Sequence, residues 1–321
     1  MPSFDIAIFG TNLLSGLLAG ALARDHGKRV VRIGRRPSPQ RLTRAIDLAL
    51  PLATRPESWR LLRRAEMETS RLLASIGMAE GLTATEVEIV ADFPDGAMAL
   101  DHMAHLALAH GHQIRRTEGG RAFRHIARLH PELLEDKMAA WLASLGVTSI
   151  DEGEADATQS ILADDAAVLE HLPEQQRPPQ LRAPAMTATL LVATRGLAVP
   201  IRRFPDRGVT LLQRPGNGIL ALVEGEDEAD ARLASTLAGP FPIKRLATTR
   251  YRRIATADGA PLIGRLKPSK QFIAIGLGDA AAFMAPALAR FIAGTPEAEE
   301  KRWFTSHDPA RPRELVAEYA P

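Results

Sequence analysis

The stretch from residue 258 to residue 294 constrains the fold most strongly. Residues 271–275 form an apolar run typical of a buried strand, and the run ends in the glycine turn Gly276-Leu277-Gly278-Asp279. A helical pattern with an apolar stripe follows and stops at Gly294. A strand, a glycine turn and a helix in that order direct backbone N–H groups and the positive end of the helix dipole to one corner. The pattern predicts an α/β domain with a ligand site at this corner.

The N-terminal segment shows a related order. Residues 6–9 and 29–33 are short apolar runs that flank an almost wholly apolar helical segment at residues 13–23. This β-turn-α-β opening is typical of nucleotide-binding folds, whose turn carries glycine at its first, third and sixth positions. This chain has Gly10, Asn12 and Ser15 at those positions. The added side chains narrow the approach of a pyrophosphate, so the context supports the fold more than the ligand.

The end of the second strand normally carries an acid that binds a ribose. Gly34 stands there instead, followed by Arg35 and Arg36. Three interpretations of these residues stay open. The first is weakened binding of a dinucleotide, the second is contact of an arginine with the 2′-phosphate of NADP, and the third is an exposed basic turn.

Two segments carry a resemblance to a known family. Residues 249–264, with Asp-Gly-Ala-Pro-Leu-Ile-Gly at 258–264, and residues 271–294 resemble the C-terminal part of the D-amino-acid oxidase and glycine oxidase-like family. These are FAD-dependent oxidoreductases of the two-dinucleotide-binding type. The resemblance covers roughly residues 5–36 and 249–308, and Ala193-Thr194-Arg195-Gly196 resembles the Ala-Thr-X-Gly segment that passes near the cofactor.

The resemblance implies an α/β fold, in which a Rossmann-like FAD-binding domain is interleaved with a smaller α+β substrate domain built on an antiparallel sheet. The FAD-binding domain would then consist of residues 1–60, 130–200 and 256–321, and the substrate domain of residues 61–129 and 201–255.

The resemblance also implies site residues. Arg253 would hold a substrate carboxylate in bidentate fashion, with Tyr251 as a second catalytic candidate, although Arg253 pairing with a surface acid is the alternative. The run 278–281 also resembles a stretch of the flavin aromatic hydroxylases, in which the Asp contacts the ribityl chain. The predicted cofactor contacts are Gly10, Asn12, Leu13, Leu14, Ser15, Gly34, Arg35, Arg36, Ala193, Thr194, Gly196, Gly276, Gly278, Asp279, Ala280, Ala281 and Phe283.

Composition argues against several other classes of function. The net charge is only +2 and the arginines are scattered, so no nucleic-acid partner is expected. Cys is absent, which excludes thiolate metal sites and covalent attachment of a flavin through Cys. No apolar run reaches membrane-spanning length, so a cytoplasmic protein is expected. The spacing of His102, His105, His110 and His112 is a weak metal signal, and no metal is predicted.

Three functions stay open on the sequence alone. The first is FAD-dependent oxidation of an amine or amino acid by hydride transfer to a non-covalently bound flavin. The second is a catalytically weak subunit or scaffold with a protein partner, because the pyrophosphate turn has lost two of its glycines. The third is a flavin monooxygenase that uses NAD(P)H, which Asp279 and the Arg35-Arg36 pair suggest.

Overall fold

The chain folds around two large β-sheets, and the computed structural model describes residues 3–35, 42, 46–50, 55–237, 243–267, 269 and 271–311. The strands in these residues are β1 (Phe4–Phe9), β2 (Val30–Ile33), β3 (Asp47–Leu48), β4 (Leu82–Val90), β5 (Gln113–Thr117), β6 (Gly120–Leu129), β7 (Thr148–Ile150), β8 (Ala157–Leu162), β9 (Leu181–Arg182), β10 (Ala185–Ala193), β11 (Ile201–Phe204), β12 (Val209–Arg214), β13 (Gly218–Glu224), β14 (Ile243–Arg252), β15 (Ala255–Thr256), β16 (Leu262–Arg265) and β17 (Phe272–Ile275).

Helices cover the sheets. The α-helices in the same residues are α1 (Leu13–His26), α2 (Pro56–Ser75), α3 (Pro94–Ala109), α4 (Pro131–Ser144), α5 (Asp165–His171), α6 (Ala229–Thr236), α7 (Ala285–Ala293) and α8 (Ala298–Ser306). None of the helices in the described part of the chain combines the length and the apolar character that crossing a bilayer requires.

The first sheet has the strand order β16-β17-β8-β1-β2-β7. Neighbouring strands in this sheet run parallel except at one edge, where β16 and β17 are antiparallel. Ile6 and Ile8 pack with α1 and α7 on one face, whereas Ala7 and Phe9 pack with α5 on the other. Burial on both faces explains why residues 6–9 of β1 form an unbroken apolar run. This sheet is the Rossmann-like part of the predicted fold.

Helix α1 lies in the middle of this domain. Every residue from Leu13 to Leu22 is buried, which is why the helix is apolar on all sides. Gly20 of α1 matters for packing, because a Cβ on it would overlap the indole of Trp141 on α4. Only glycine at this position lets α4 approach α1 so closely.

The second sheet has the strand order β14-β10-β13-β12-β11-β4-β6-β3, with β5 paired to β6. Neighbouring strands in this sheet are antiparallel except β4 and β11, which run parallel to each other. The hairpin predicted around residues 215–217 is confirmed, since β12 and β13 pair there and Asn217 takes a left-handed conformation. With nine strands, this sheet is the larger of the two, whereas the substrate domain was expected to be the smaller one.

The two sheets alternate along the chain, and three segments lie with a different sheet from the one that the expected boundaries imply. Strands β3 and β10 belong to the second sheet, although residues 1–60 and 130–200 were expected in the FAD-binding domain. Most of α2 was assigned to the substrate domain, yet it packs on α7 and α8 beside the first sheet. A buried apolar pattern in the sequence does not indicate which sheet its residues join. The boundaries of the domains themselves stay a prediction.

Candidate active site

A cavity of about 740 Å³ lies where the carboxyl ends of β1, β8 and β17 meet the second sheet. In doubly wound folds, ligands bind at this edge of the sheet. The segments that line the cavity from the first sheet are residues 11–14, 163–166 and 274–281, and those from the second sheet include residues 203–205, 208–210 and 251–254.

The glycine corner predicted from the sequence forms one wall. Gly276 and Gly278 both have positive φ values, 74° and 55°, which favour glycine. A Cβ on Gly278 would meet no atom within 4 Å, so the backbone here is open to the cavity. The predicted positions Gly276, Gly278, Asp279, Ala280 and Ala281 all line this wall.

The helix after the corner starts later than expected. Two 3₁₀ turns, Gly278–Ala280 and Ala282–Met284, precede α7, which begins at Ala285 rather than at Asp279. Pro286 explains the delay, because its ring would clash with the carbonyl of residue 282 in a continuous α-helix. Phe283 is also misassigned. Its side chain is fully buried in the core, and its carbonyl accepts a hydrogen bond from the Thr69 hydroxyl, so it is a packing residue and not a cofactor contact.

An ion pair that the sequence did not reveal crosses the cavity. Arg203 on β11 pairs with Asp279 of the glycine corner, and the Arg203 side chain is almost fully buried. Asp279 therefore has a protein partner, whereas it was expected to contact a cofactor. No motif marks Arg203 in the sequence, because it lies in the ordinary strand Ile201–Phe204 and only the pairing of the two sheets brings it to the corner.

Arg253 and Tyr251 both lie on the cavity wall. Tyr251 is half-buried on β14, and Arg253 follows the end of that strand with an exposed side chain. The Arg253 N–H donates to the Pro184 carbonyl at 3.1 Å, which fixes the backbone of Arg253 beside the start of β10. The structure thus brings both predicted residues to one cavity, and their catalytic roles stay predictions.

Two carboxyl groups near these residues were also missed. Asp165 follows β8 and accepts a hydrogen bond from the Ile254 N–H at 2.9 Å. Burial raises the pKa of Asp165 to about 6, while that N–H and the charge of Arg253 oppose the rise. Asp47 on β3 is 4% exposed and lines the cavity, and its Oδ2 has no hydrogen-bond partner in the described structure. Burial raises the pKa of Asp47 to about 7 against the opposing charge of Arg128.

Protein side chains already bind two backbone amides of the N-terminal turn. The Thr11 N–H donates to Asp164 Oδ2 at 2.6 Å, and the Ser15 N–H donates to Asn12 Oδ1 at 2.9 Å. Leu13 and Leu14 line the cavity, as expected, but Gly10, Ser15, Gly34 and Arg35 do not. Arg36 lies outside the described residues. The residues therefore suit the ring end of a flavin at the glycine corner, and they do not suit its pyrophosphate at α1.

The segment Ala193–Gly196, which resembles a family segment that passes near the cofactor, does not line the cavity. Ala193 ends β10, and its N–H donates to the Asn217 carbonyl, so Ala193, Thr194 and Gly196 lie beside the β12–β13 hairpin and away from the cavity. Strand β8 stands next to β1 in the first sheet instead, and residues 163–166 after it line the cavity. An alanine stands at the carboxyl end of each strand, Ala163 after β8 and Ala193 in β10, and the pairing partners distinguish the two.

The histidines considered as metal ligands have other contacts. His105 Nδ1 lies 2.8 Å from the Asp101 carbonyl, and the rings of His110 and His112 pack against Trp59. In the described residues, carboxylates come together at Glu68, Glu297 and Glu300, but Arg64 and Arg290 lie among them. This cluster is an ion-pair network between α2, α7 and α8.

The chain is similar in structure to several solved proteins. Glycine oxidase from Geobacillus kaustophilus superposes with a TM-score of 0.70 and 16% identity, over 100% of both chains. Iminodiacetate oxidase from Chelativorans sp. BNC1 gives 0.67 and 18%, over 93% of this chain and 98% of that one. L-proline dehydrogenase from P. horikoshii gives 0.71 and 14%, over 95% and 96%.

No protein-family model matches the sequence. No curated protein matches it either. The structural comparisons confirm the fold that the sequence resemblance implied, and the chain has the fold of glycine oxidase, iminodiacetate oxidase and L-proline dehydrogenase.

Proposed function

We propose that this chain is an oxidoreductase that oxidises an amine or an amino acid, with a flavin ring at the glycine corner as the electron acceptor. The observation that carries the proposal is the position of Arg253, which lies on the same cavity as the corner residues Gly276 and Gly278. The fold shared with amino-acid oxidases and dehydrogenases supports the same reaction class. A bound flavin would supply the acceptor for two electrons.

The chain's own residues would bind and orient the substrate. A guanidinium binds a carboxylate through two parallel N–H···O bonds, so Arg253 would fix both the position and the rotation of a carboxylate substrate. Asp165, whose pKa is raised to about 6, lies close enough to Arg253 to interact with its charge. An ionised Asp165 would attract the ammonium group of an amino acid, and a protonated one would not.

The experiment replaces Arg253 by Ala and by Lys, with Arg252→Ala as the matched control. Purified proteins are supplied with FAD or riboflavin and tested against D- and L-amino acids, sarcosine and iminodiacetate with an artificial electron acceptor. Arg253→Ala should lower kcat/KM for a carboxylate substrate about 10- to 100-fold, because a charge-assisted hydrogen bond contributes about 1.5–3 kcal/mol. Arg253→Lys should retain only part of the wild-type kcat/KM, since an ammonium does not bind a carboxylate in bidentate fashion.

Arg252 is the appropriate control because it also lines the cavity but donates to the Ala183 carbonyl at 3.2 Å. Arg252→Ala should therefore have a much smaller effect. Equal losses in the two variants would remove the argument from Arg253. A protein that turns over none of these substrates and binds neither flavin would refute the proposed reaction class.

A catalytically weak subunit is the second candidate function, and the carboxylate of Asp164 at the pyrophosphate turn favours it. The NAD(P)H-dependent monooxygenase receives less support, because Arg35 is exposed and does not line the cavity. Anaerobic addition of NADPH to the flavin-loaded protein would separate the oxidase from the monooxygenase. The cytoplasmic location and a protein partner stay predictions.

A further inference from the structure

We propose that the carboxylate of Asp164 takes the place of a phosphate at the start of α1, so that the cavity accepts a flavin by its ring end and does not retain the ADP half of a dinucleotide. The inference rests on the proposed function for the flavin ring. Its other half, the exclusion of ADP, is independent of that function and rests on the geometry of the turn and the charge of the cavity.

Asp164 uses both oxygens of its carboxylate at the junction of β8 and α1. Oδ2 accepts the Thr11 N–H at 2.6 Å and the Thr11 hydroxyl at 3.3 Å, whereas Oδ1 accepts the Ala167 N–H at 2.8 Å. The Thr11 amide is a donor of the turn that binds pyrophosphate in dinucleotide folds, and Ala167 belongs to the first turn of α5. One internal anion therefore binds the Thr11 amide of the turn and also caps the N-terminus of α5.

Asn12 removes a further donor. Its Oδ1 accepts the Ser15 N–H at 2.9 Å, and its Nδ2 donates to the Ala163 carbonyl at 3.1 Å, which ties the turn to the end of β8. A glycine at this position would leave the Ser15 N–H to a ligand. Two amides at the start of α1, those of Thr11 and Ser15, are thus occupied by side chains of the protein.

The ribose side is closed as well. A Cβ on Gly34 would come within 2.8 Å of the Thr11 methyl group, so Thr11 fills the space beside the end of β2. The acid that holds a ribose in dinucleotide folds is missing there, because Gly34 occupies its position and the exposed Arg35 follows.

The charge of the cavity opposes a pyrophosphate too. The lining residues of the described structure carry six carboxyl groups, of which Asp47 keeps its proton up to about pH 7 because burial raises its pKa, and three guanidinium groups. One of the guanidinium groups, that of Arg203, is paired with Asp279. A pyrophosphate brings two negative charges into this excess of acid. It would also have to displace a carboxylate that is attached to the chain and cannot diffuse away.

The experiment measures the two halves of the ligand separately, with ADP for the nucleotide half and riboflavin for the ring half. The proteins are the wild type, Asp164→Ser and Asp164→Asn, with Asp156→Asn as a control at an exposed acid just before β8. Serine keeps an oxygen that can cap the Ala167 N–H, so α5 should persist, and circular dichroism checks the fold. ADP binding is followed by calorimetry and riboflavin binding by quenching of its fluorescence.

We expect Asp164→Ser and Asp164→Asn to bind ADP at least tenfold more tightly than the wild type and Asp156→Asn. Riboflavin affinity should agree within about twofold in all four proteins, and the wild type should bind FAD no more tightly than riboflavin. Wild-type protein that binds ADP as tightly as the two Asp164 variants, or that binds FAD at least tenfold more tightly than riboflavin, would overturn the inference. If ADP binding is gained but riboflavin binds to none of the proteins, the exclusion of ADP stands and the proposed flavin function fails.

Discussion

Asp47 provides a test of the electrostatics of the cavity that does not depend on the identity of the ligand. Its pKa rises from an ordinary value of 3.8 to about 7, chiefly because the carboxyl group is buried. The folded chain therefore holds a proton on Asp47 between about pH 4 and pH 7, where the unfolded chain has lost it. The free energy of unfolding must therefore fall as pH rises through this interval. The contribution of the protonated Asp47 is fully present below pH 3.8 and is lost above about pH 7.

The size of the effect follows from the same interval. A difference of one pKa unit corresponds to about 1.4 kcal/mol, so the full change is about 4 kcal/mol and the part between pH 4.5 and pH 8 is about 3 kcal/mol. Asp47→Asn replaces the titrating group with a neutral one of the same shape. The difference in unfolding free energy between wild type and Asp47→Asn should shift by about this amount in favour of the variant as the pH rises.

Chemical denaturation of both proteins at pH 4.5, 6 and 8 measures this shift, and any pH-independent cost of the amide cancels in the comparison. Asp156→Asn, at an exposed acid, serves as the control and should show no such change. A wild-type curve that stays parallel to the Asp47→Asn curve at all three pH values would mean that Asp47 is solvated or paired, and the reasoning from burial would be refuted.

Two further predictions concern the stability of the fold. Glu300→Gln should destabilise the fold by about 3 kcal/mol, because Glu300 is fully buried and accepts hydrogen bonds from Arg64 and Arg290. Urea unfolding measures the loss, and an equal loss in Glu299→Gln would contradict the prediction. Gly20→Ala should lower stability by about 1–3 kcal/mol through overlap with Trp141. The same change should cost less in a Trp141→Phe background, and a Tm that Gly20→Ala leaves unchanged would show that α4 can move aside.

The glycine corner could be predicted because its evidence is local. A strand, a glycine turn and an apolar stripe follow one another within residues 271–294, and the backbone conformations of Gly276 and Gly278 need no distant partner to be inferred. The position of Arg253 on the cavity likewise followed from a short segment of sequence around it. Pairing between distant strands decided the features that were missed.

Arg203, Asp164 and Asp47 illustrate that limit. Arg203 reaches the corner only because β11 lies in the second sheet across from β17, and Asp164 reaches the turn only because β8 lies beside β1. Asp47 sits on a strand of two residues, too short for any periodic pattern. The sequence motifs indicated which ligands to consider, whereas strand order determined which charged groups meet them.

The alternation of the two sheets along the chain also has consequences for how the protein folds. In the first sheet β1 has to pair with β8, which has to pair with β17, and in the second sheet β4 has to pair with β11. Neither sheet can therefore be completed until most of the chain has left the ribosome, and both depend on contacts between residues far apart in sequence. Such topologies fold slowly and expose unpaired strand edges on the way. A fragment that ends before residue 272 should remain aggregation-prone, because it lacks the strand that covers the open side of β8.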